Sequence, residues 1–196
     1  MTLPELKALQ SRVGTTPDGV WGPKSIRACR DYMRSLMPSP NPWPKDNKRD
    51  IQAFFGPPGE SNLVSFEFPF PTYYGGQHVN KGRCHAKIKD ALLRVLNDIK
   101  TRHGNDWMIM DAASDFAGIY NFRPMRGGTN ISRHSWGIAI DLDAGTNGLH
   151  TPWPIKATMP IEIMECFARE GFVGLGWSIG RDAMHFEAVR NHPIMT

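Results

Sequence analysis

Ser132-Arg133-His134-Ser135-Trp136-Gly137-Ile138-Ala139-Ile140-Asp141 decides how this chain is read. Residues 137–142 are almost continuously apolar, the signature of a short buried strand. Side chains alternate across a strand, so Ile138, Ile140 and Leu142 share one face, and Ala139, Asp141 and Asp143 the other. His134 falls in the turn before the strand, where Gly137 permits a tight reversal. Far downstream comes Asp182-Ala183-Met184-His185-Phe186-Glu187. Residues 183–189 read as a second short strand, with His185 and Glu187 on one face and Phe186 directed to the core. Placed side by side, the two strands bring His134, Asp141 and His185 onto one surface. Two imidazoles and a carboxylate suit Zn2+, and a catalytic zinc keeps three protein ligands with one position open.

Residues 160–170 read as a helix ending at Gly171, and residues 107–111 as a strand. Residues 81–102 carry Ile88, Leu92, Val95, Leu96 and Ile99 at helical spacing. Residues 63–70 alternate apolar and polar side chains and read as a strand, and residues 122–130 as a glycine-rich loop. Strands and helices mix without regular alternation, which favours an α+β fold built on an antiparallel sheet. At the amino terminus, residues 3–13 place Leu3, Leu6, Leu9 and Val13 on a helical face. A loop rich in Gly, Pro and Asp follows, and Pro23 suits the first turn of a second helix. Alternating prolines in Pro38-Ser39-Pro40-Asn41-Pro42-Trp43-Pro44 then favour an extended, semi-rigid spacer. The expected organisation is a small all-α module at 1–37, a Pro-rich linker at 38–47 and an α+β domain at 48–196.

The 196 residues are 40% hydrophobic, enough for a real core. Apolar runs are far too short to span a bilayer, so no stable membrane insertion is expected. The opening Met1-Thr2-Leu3-Pro4-Glu5 lacks the basic and apolar regions of a secretory signal. Cys29, Cys84 and Cys166 are odd in number and scattered, fitting neither a disulfide framework nor a CxxC zinc site. They read as buried, reduced thiols. The formal charge of +4 is spread thinly, without the basic run or interleaved aromatics of a nucleic-acid binder. A lone histidine is ordinarily a packed or surface residue, which is how His78, His85, His103, His150 and His192 are read. For His134, Asp141 and His185 the joint pattern favours a metal site.

Ser132-x-His134-x-x-Gly137-x-Ala139-x-Asp141 resembles the SxHxxGxAxD signature of zinc D-Ala-D-Ala carboxypeptidases and L-alanyl-D-glutamate endopeptidases. Asp182-x-x-His185 resembles the D/E-x-x-H motif that closes the same site. The resemblance spans residues 118–188, with weaker similarity back to about residue 50. It implies that His134, Asp141 and His185 bind zinc and that Asp182 is the general base. It also implies that Arg123 helps to hold substrate, with Arg126 a near rival. Ser132 contacts substrate, supports His134 or is only a turn residue, and Glu187 is a candidate partner for a ligand histidine. Trp136 and Trp177 are expected as core or cleft walls.

Leu9-Gln10 followed by Pro17-Asp18-Gly19-Val20-Trp21-Gly22-Pro23-Lys24-Ser25 resembles the LQ…DGxxGxxT pattern of helical peptidoglycan-binding domains, with Ser25 where Thr is usual. This implies peptidoglycan contacts at Asp18, Gly19 and Trp21; the competing reading is a helical hairpin packed on the enzyme. Together the resemblances imply a monomeric phage-type endolysin that lyses bacteria by cutting peptidoglycan stem peptides, at the L-Ala–D-Glu bond. It would be made in the host cytoplasm and reach the wall through a holin-type lesion. One alternative is a D-Ala-D-Ala carboxypeptidase. Another is a non-enzymatic wall-binding or phage structural protein with a stabilising zinc site.

Overall fold

The computed structural model describes residues 1–125 and 128–190. In chain order the helices are α1 (Leu3–Arg12), α2 (Pro23–Leu36) and α3 (Lys48–Phe55). A hairpin of β1 (Leu63–Tyr74) and β2 (Gln77–His85) leads to α4 (Lys89–His103), α5 (Trp107–Ser114) and β3 (Phe116–Gly118). Then come β4 (Ala139–Leu142), α6 (Ala144–Asn147), α7 (Ile161–Arg169), β5 (Val173–Gly174), α8 (Leu175–Ile179) and β6 (His185–Glu187). The fold is α+β. Its central sheet runs β3-β4-β6-β5, with every neighbouring pair antiparallel.

Local chemistry explains most element boundaries. Thr2 and Glu5 form a reciprocal capping box at the start of α1. Pro23 opens α2, and Asn47 caps α3 by accepting the Asp50 amide at 2.9 Å. The hairpin turns at Gly75 and Gly76, both with positive φ, as a tight two-residue connection requires. β1 runs beyond the expected 63–70 to Tyr74, with a register shift between Glu67 and Thr72 where Pro69 and Pro71 interrupt the ladder.

Two elements depart from expectation. The helix foreseen from residue 81 starts only at Lys89, because residues 81–85 pair with β1 as the end of β2. Gly82 lies under the Phe66 ring, so close that a Cβ would stand 2.6 Å from it. The His85 side chain then accepts the Lys87 amide at 3.1 Å and starts a 3₁₀ turn into α4. Residues 107–111, expected as a strand, are helical instead. Asp106 accepts the amides of Met108 and Ile109, an N-cap that starts α5. The buried residues of α5 are Ile109, Ala112 and Ala113, at helical spacing, while Trp107 and Met108 stay exposed. The apolar run that suggested a strand is therefore half solvent-facing.

The core lies between the sheet and α4, α5 and α7. Ile138, Ile140 and Leu142 are fully buried on the core face of β4 and just before it. Phe186 of β6 stacks on Phe167 of α7, with ring centroids 4.0 Å apart. Leu9, Cys29 and Met33 of the first two helices, with Val13 just after α1, join the same buried cluster. Arg12 pairs with Glu162 and Glu165 on α7, and the Tyr32 hydroxyl donates to Glu165 at 2.8 Å. Between the helices and the sheet, the proline stretch lies along the second part of the chain. Trp43 is buried against Phe172, and its indole N–H donates to the Glu170 carbonyl at 2.9 Å. Among the described residues no helix is long and apolar enough to cross a membrane.

Candidate metal centre

The turn that carries His134 is built by its neighbours. Ser132 caps the 3₁₀ turn Arg133–Trp136, its hydroxyl accepting the His134 amide at 3.4 Å. Gly137 closes the turn at φ +67, and a Cβ there would stand 2.5 Å from Leu63 and 3.2 Å from the His85 nitrogen. Glycine is required on both counts. β4 then pairs with β6 so that Asp141 lies directly opposite His185, and Ala139 opposite Glu187.

This register brings three ligand atoms together. His134 Nε2 is 3.2 Å from Asp141 Oδ2 and 3.2 Å from His185 Nδ1, which is 2.9 Å from Asp141 Oδ1. Bonds of about 2.0–2.1 Å to a tetrahedral zinc would separate ligand atoms by about 3.4 Å, close to this spacing. The remaining ring nitrogens are committed elsewhere. His134 Nδ1 donates to the Ile119 carbonyl at 2.7 Å, and His185 Nε2 to Glu187 Oε2 at 3.1 Å. His134 Nε2 and His185 Nδ1 therefore turn their lone pairs toward each other beside a carboxylate. Such an arrangement calls for a cation between them, a proton or a metal ion. His134, Asp141 and His185 could hold a metal ion together, and the donor set fits zinc.

With a proton in that place, a charged imidazole donates to Asp141. Burial pushes the Asp141 carboxyl up, but hydrogen bonds from His134 and His185 outweigh it and hold the group well below the usual carboxylate range. Burial opposes charge on His185, yet its bonds to Asp141 and Glu187 prevail and raise it well above an ordinary histidine. Asp182 behaves differently. Burial, with the nearby charges of Asp141 and Glu187, raises its carboxyl against the opposing pull of His185 and His134. Its Oδ1 is buried and has no hydrogen-bond partner among the described residues.

A cleft of about 150 Å3 gathers these groups: His134, Asp141, Asp182, His185, Arg123 and Ser132 all line it. Arg123 is half-buried, and its Nη1 donates to the Pro124 carbonyl at 3.1 Å. Arg126 lies outside the described residues. Trp136 and Trp177 are buried, as are Cys29, Cys84 and Cys166, all free thiols. Asp18, Gly19 and Trp21 do not line the cleft. Asp18 instead accepts from Gln10 Nε2 and from the Val20 amide, each at 2.8 Å. Trp21 meets Trp153 edge to face, with ring centroids 5.7 Å apart.

Sequence reasoning missed one pair in the cleft wall. Arg133, next to the candidate ligand His134, is clamped by Asp46 through its Nε at 2.8 Å and through Nη2. Asp46 is itself fixed, its amide donating to the Arg190 carbonyl at 3.0 Å. Nothing in the local sequence of residues 44–47 marks the partnership, which joins positions far apart in the chain.

Residues 126–188 match the family model described as D-alanyl-D-alanine carboxypeptidase. The matched stretch contains His134, Asp141, Asp182 and His185, and it ends just after β6. No curated protein and no solved structure matches the chain. The family match supports a zinc peptidase acting on a peptidoglycan-type substrate.

Proposed function

We propose that this chain is a zinc-dependent endolysin that hydrolyses the stem peptides of bacterial peptidoglycan, cutting between L-Ala and D-Glu. The observation that carries the reading is the convergence, in one cleft, of three candidate ligand atoms at tetrahedral-metal spacing with a buried carboxylate oxygen on Asp182 that is unpaired among the described residues. A site serving stability alone is normally closed and needs no such base. His134 Nε2, Asp141 and His185 Nδ1 would hold the zinc. When bound, the ion polarises a scissile carbonyl and makes hydroxide accessible near neutral pH.

The chain's own groups divide the remaining work. Asp182 takes a proton from the attacking water and delivers it to the departing amine nitrogen. Glu187 and the Ile119 carbonyl fix the ring tautomers, leaving the correct nitrogen of each histidine free to bind. Arg123 offers a planar fork of donors to a substrate carboxylate or carbonyl oxygen at the rim. Ser132 acts through His134, whose turn it caps, and borders the substrate. The loop with Asp18, Gly19 and Trp21 contacts the wall polymer. The protein works as a monomer, made in the host cytoplasm and released to the wall through a holin-type lesion.

A second reading is removal of a terminal D-Ala, favoured by the description of the matching family. Digesting purified peptidoglycan with the zinc-loaded protein and identifying the new termini by mass spectrometry separates the two. New amino-terminal D-Glu supports the endopeptidase; release of free D-Ala alone overturns it.

A further inference from the structure

Asp182 is presented by a strained turn. Its φ of +56 lies in the left-handed region, and Gly180 two residues earlier has φ +77. A residue with a Cβ stays in that region only where its surroundings over-determine it. One support is the 152–153 segment: Trp153 donates its amide to the Gly180 carbonyl at 2.9 Å, and Pro152 forms an antiparallel bridge with Arg181. The other is α8, which ends at Ile179 just before the turn. The His185 amide, donating to the Asp182 carbonyl at 3.1 Å, closes the turn from the far side.

Both supports are held by the amino-terminal helices. Arg30 Nε of α2 donates to the Ser178 carbonyl at 3.0 Å, placing a cation on the acceptor-rich end of α8. Trp21 packs edge-on against the buried Trp153 ring. Trp21 is itself placed by Gln10, a fully buried side chain that bonds Asp18, the Val20 carbonyl and the Gly19 amide at 2.8–3.0 Å. The motif resembling a wall-binding signature thus also builds a loop that presses on the segment behind Asp182.

We infer that the amino-terminal helical pair positions the base: Trp21 and Arg30 brace the 152–153 segment and α8, and through them the turn that aims Asp182 into the cleft. This rests on the role proposed for Asp182. A module that only bound wall glycan would be irrelevant to a substrate without sugar, whereas a brace acts on every substrate.

The test uses the full chain, zinc-loaded, with a soluble glycan-free stem peptide. Trp21→Ala and Arg30→Ala should lower kcat per bound zinc by roughly 10- to 100-fold, the scale of a misplaced catalytic group, with KM nearly unchanged. Arg30→Lys should recover part of the loss, and Trp21→Ala should add nothing in the Asp182→Asn background. Amide hydrogen exchange supplies a readout independent of catalysis: both alanine variants should speed exchange at His185 and across the 180–182 turn, leaving the β1–β2 hairpin as in wild type. Unchanged exchange at the turn overturns the brace whether or not the wild type cleaves the peptide. If the wild type fails to cleave while exchange responds as expected, the brace stands and the proposed activity fails.

Discussion

His185 and Asp141 are directly paired residues of adjacent antiparallel strands, and the His185 Nδ1 lies 2.9 Å from Asp141 Oδ1. That relationship places two of the three candidate ligand residues opposite each other through backbone register. A slip of one residue would turn one of them to the opposite face of the sheet. The candidate metal centre thus depends on the β4–β6 ladder, and its occupancy should be coupled to folding. With free zinc at about 100 times its dissociation constant, the folded state should gain about 2.7 kcal/mol. Thermal unfolding with and without a chelator checks this. Identical midpoints would mean that the native site does not bind the ion.

Glu187 accepts from the His185 ring at 3.1 Å, and on the proposed reading this contact tunes metal affinity. Glu187→Gln removes the charged acceptor that holds the Nε2 proton in place, and loss of such a partner typically costs 10- to 100-fold in metal affinity. Competitive zinc titration against a chelating dye should find a weakened site with a stoichiometry still of one per chain. Wild-type affinity in the variant would show that Glu187 does not orient the ligand.

Asp46→Ala leaves the mostly buried Arg133 guanidinium without its carboxylate. Removing one partner of a buried pair commonly costs about 3–5 kcal/mol, because the remaining charge stays desolvated. The double variant Asp46→Ala/Arg133→Met should recover much of that loss. Urea unfolding measures both, and additive losses would mean that the two side chains are not energetically coupled.

How far these features were legible in the sequence depends on their reach along the chain. That His134, Asp141 and His185 come together was readable, because alternation in two short strands fixes the faces of Asp141 and His185 and the turn at Gly137 sets His134 beside them. Asp46 was not: its partner stands 87 positions away, and only the packing of the proline stretch along the sheet domain brings them together. The strand expected at residues 107–111 failed for a local reason, an Asp106 cap that outweighed the β-like run of Trp107 to Met110. Likewise, helical periodicity in α4 was real, but hairpin pairing extended through His85 and delayed the start. The amphipathic helices α1, α2 and α7 fell close to their expected bounds, since each has a clear apolar stripe and stop signals.

The three thiols offer a pH-dependent check on the core. Burial pushes Cys29, Cys84 and Cys166 each up to about 12. In the unfolded chain a thiol ionises near pH 8.5, so above that value the unfolded state loses protons that the native state keeps. Stability should therefore fall as pH rises from about 8.5 toward 12, by up to about 1.4 kcal/mol per pH unit for each thiol. At pH 8, a thiol-reactive dye should label the native protein slowly and label all three cysteines once it is unfolded. Rapid labelling of the native protein would mean that a thiol is accessible.

The most direct measurement compares zinc-loaded wild type with Asp182→Asn on purified peptidoglycan, scoring zinc per chain and newly formed peptide termini together. Wild type should release new amino termini. The variant should keep its zinc yet lose roughly 10²- to 10⁴-fold in rate, the usual contribution of a positioned acid–base group. Equal cleavage by both proteins, or no new termini from the zinc-loaded wild type, would contradict the assignment of this cleft as a peptidase site driven by Asp182.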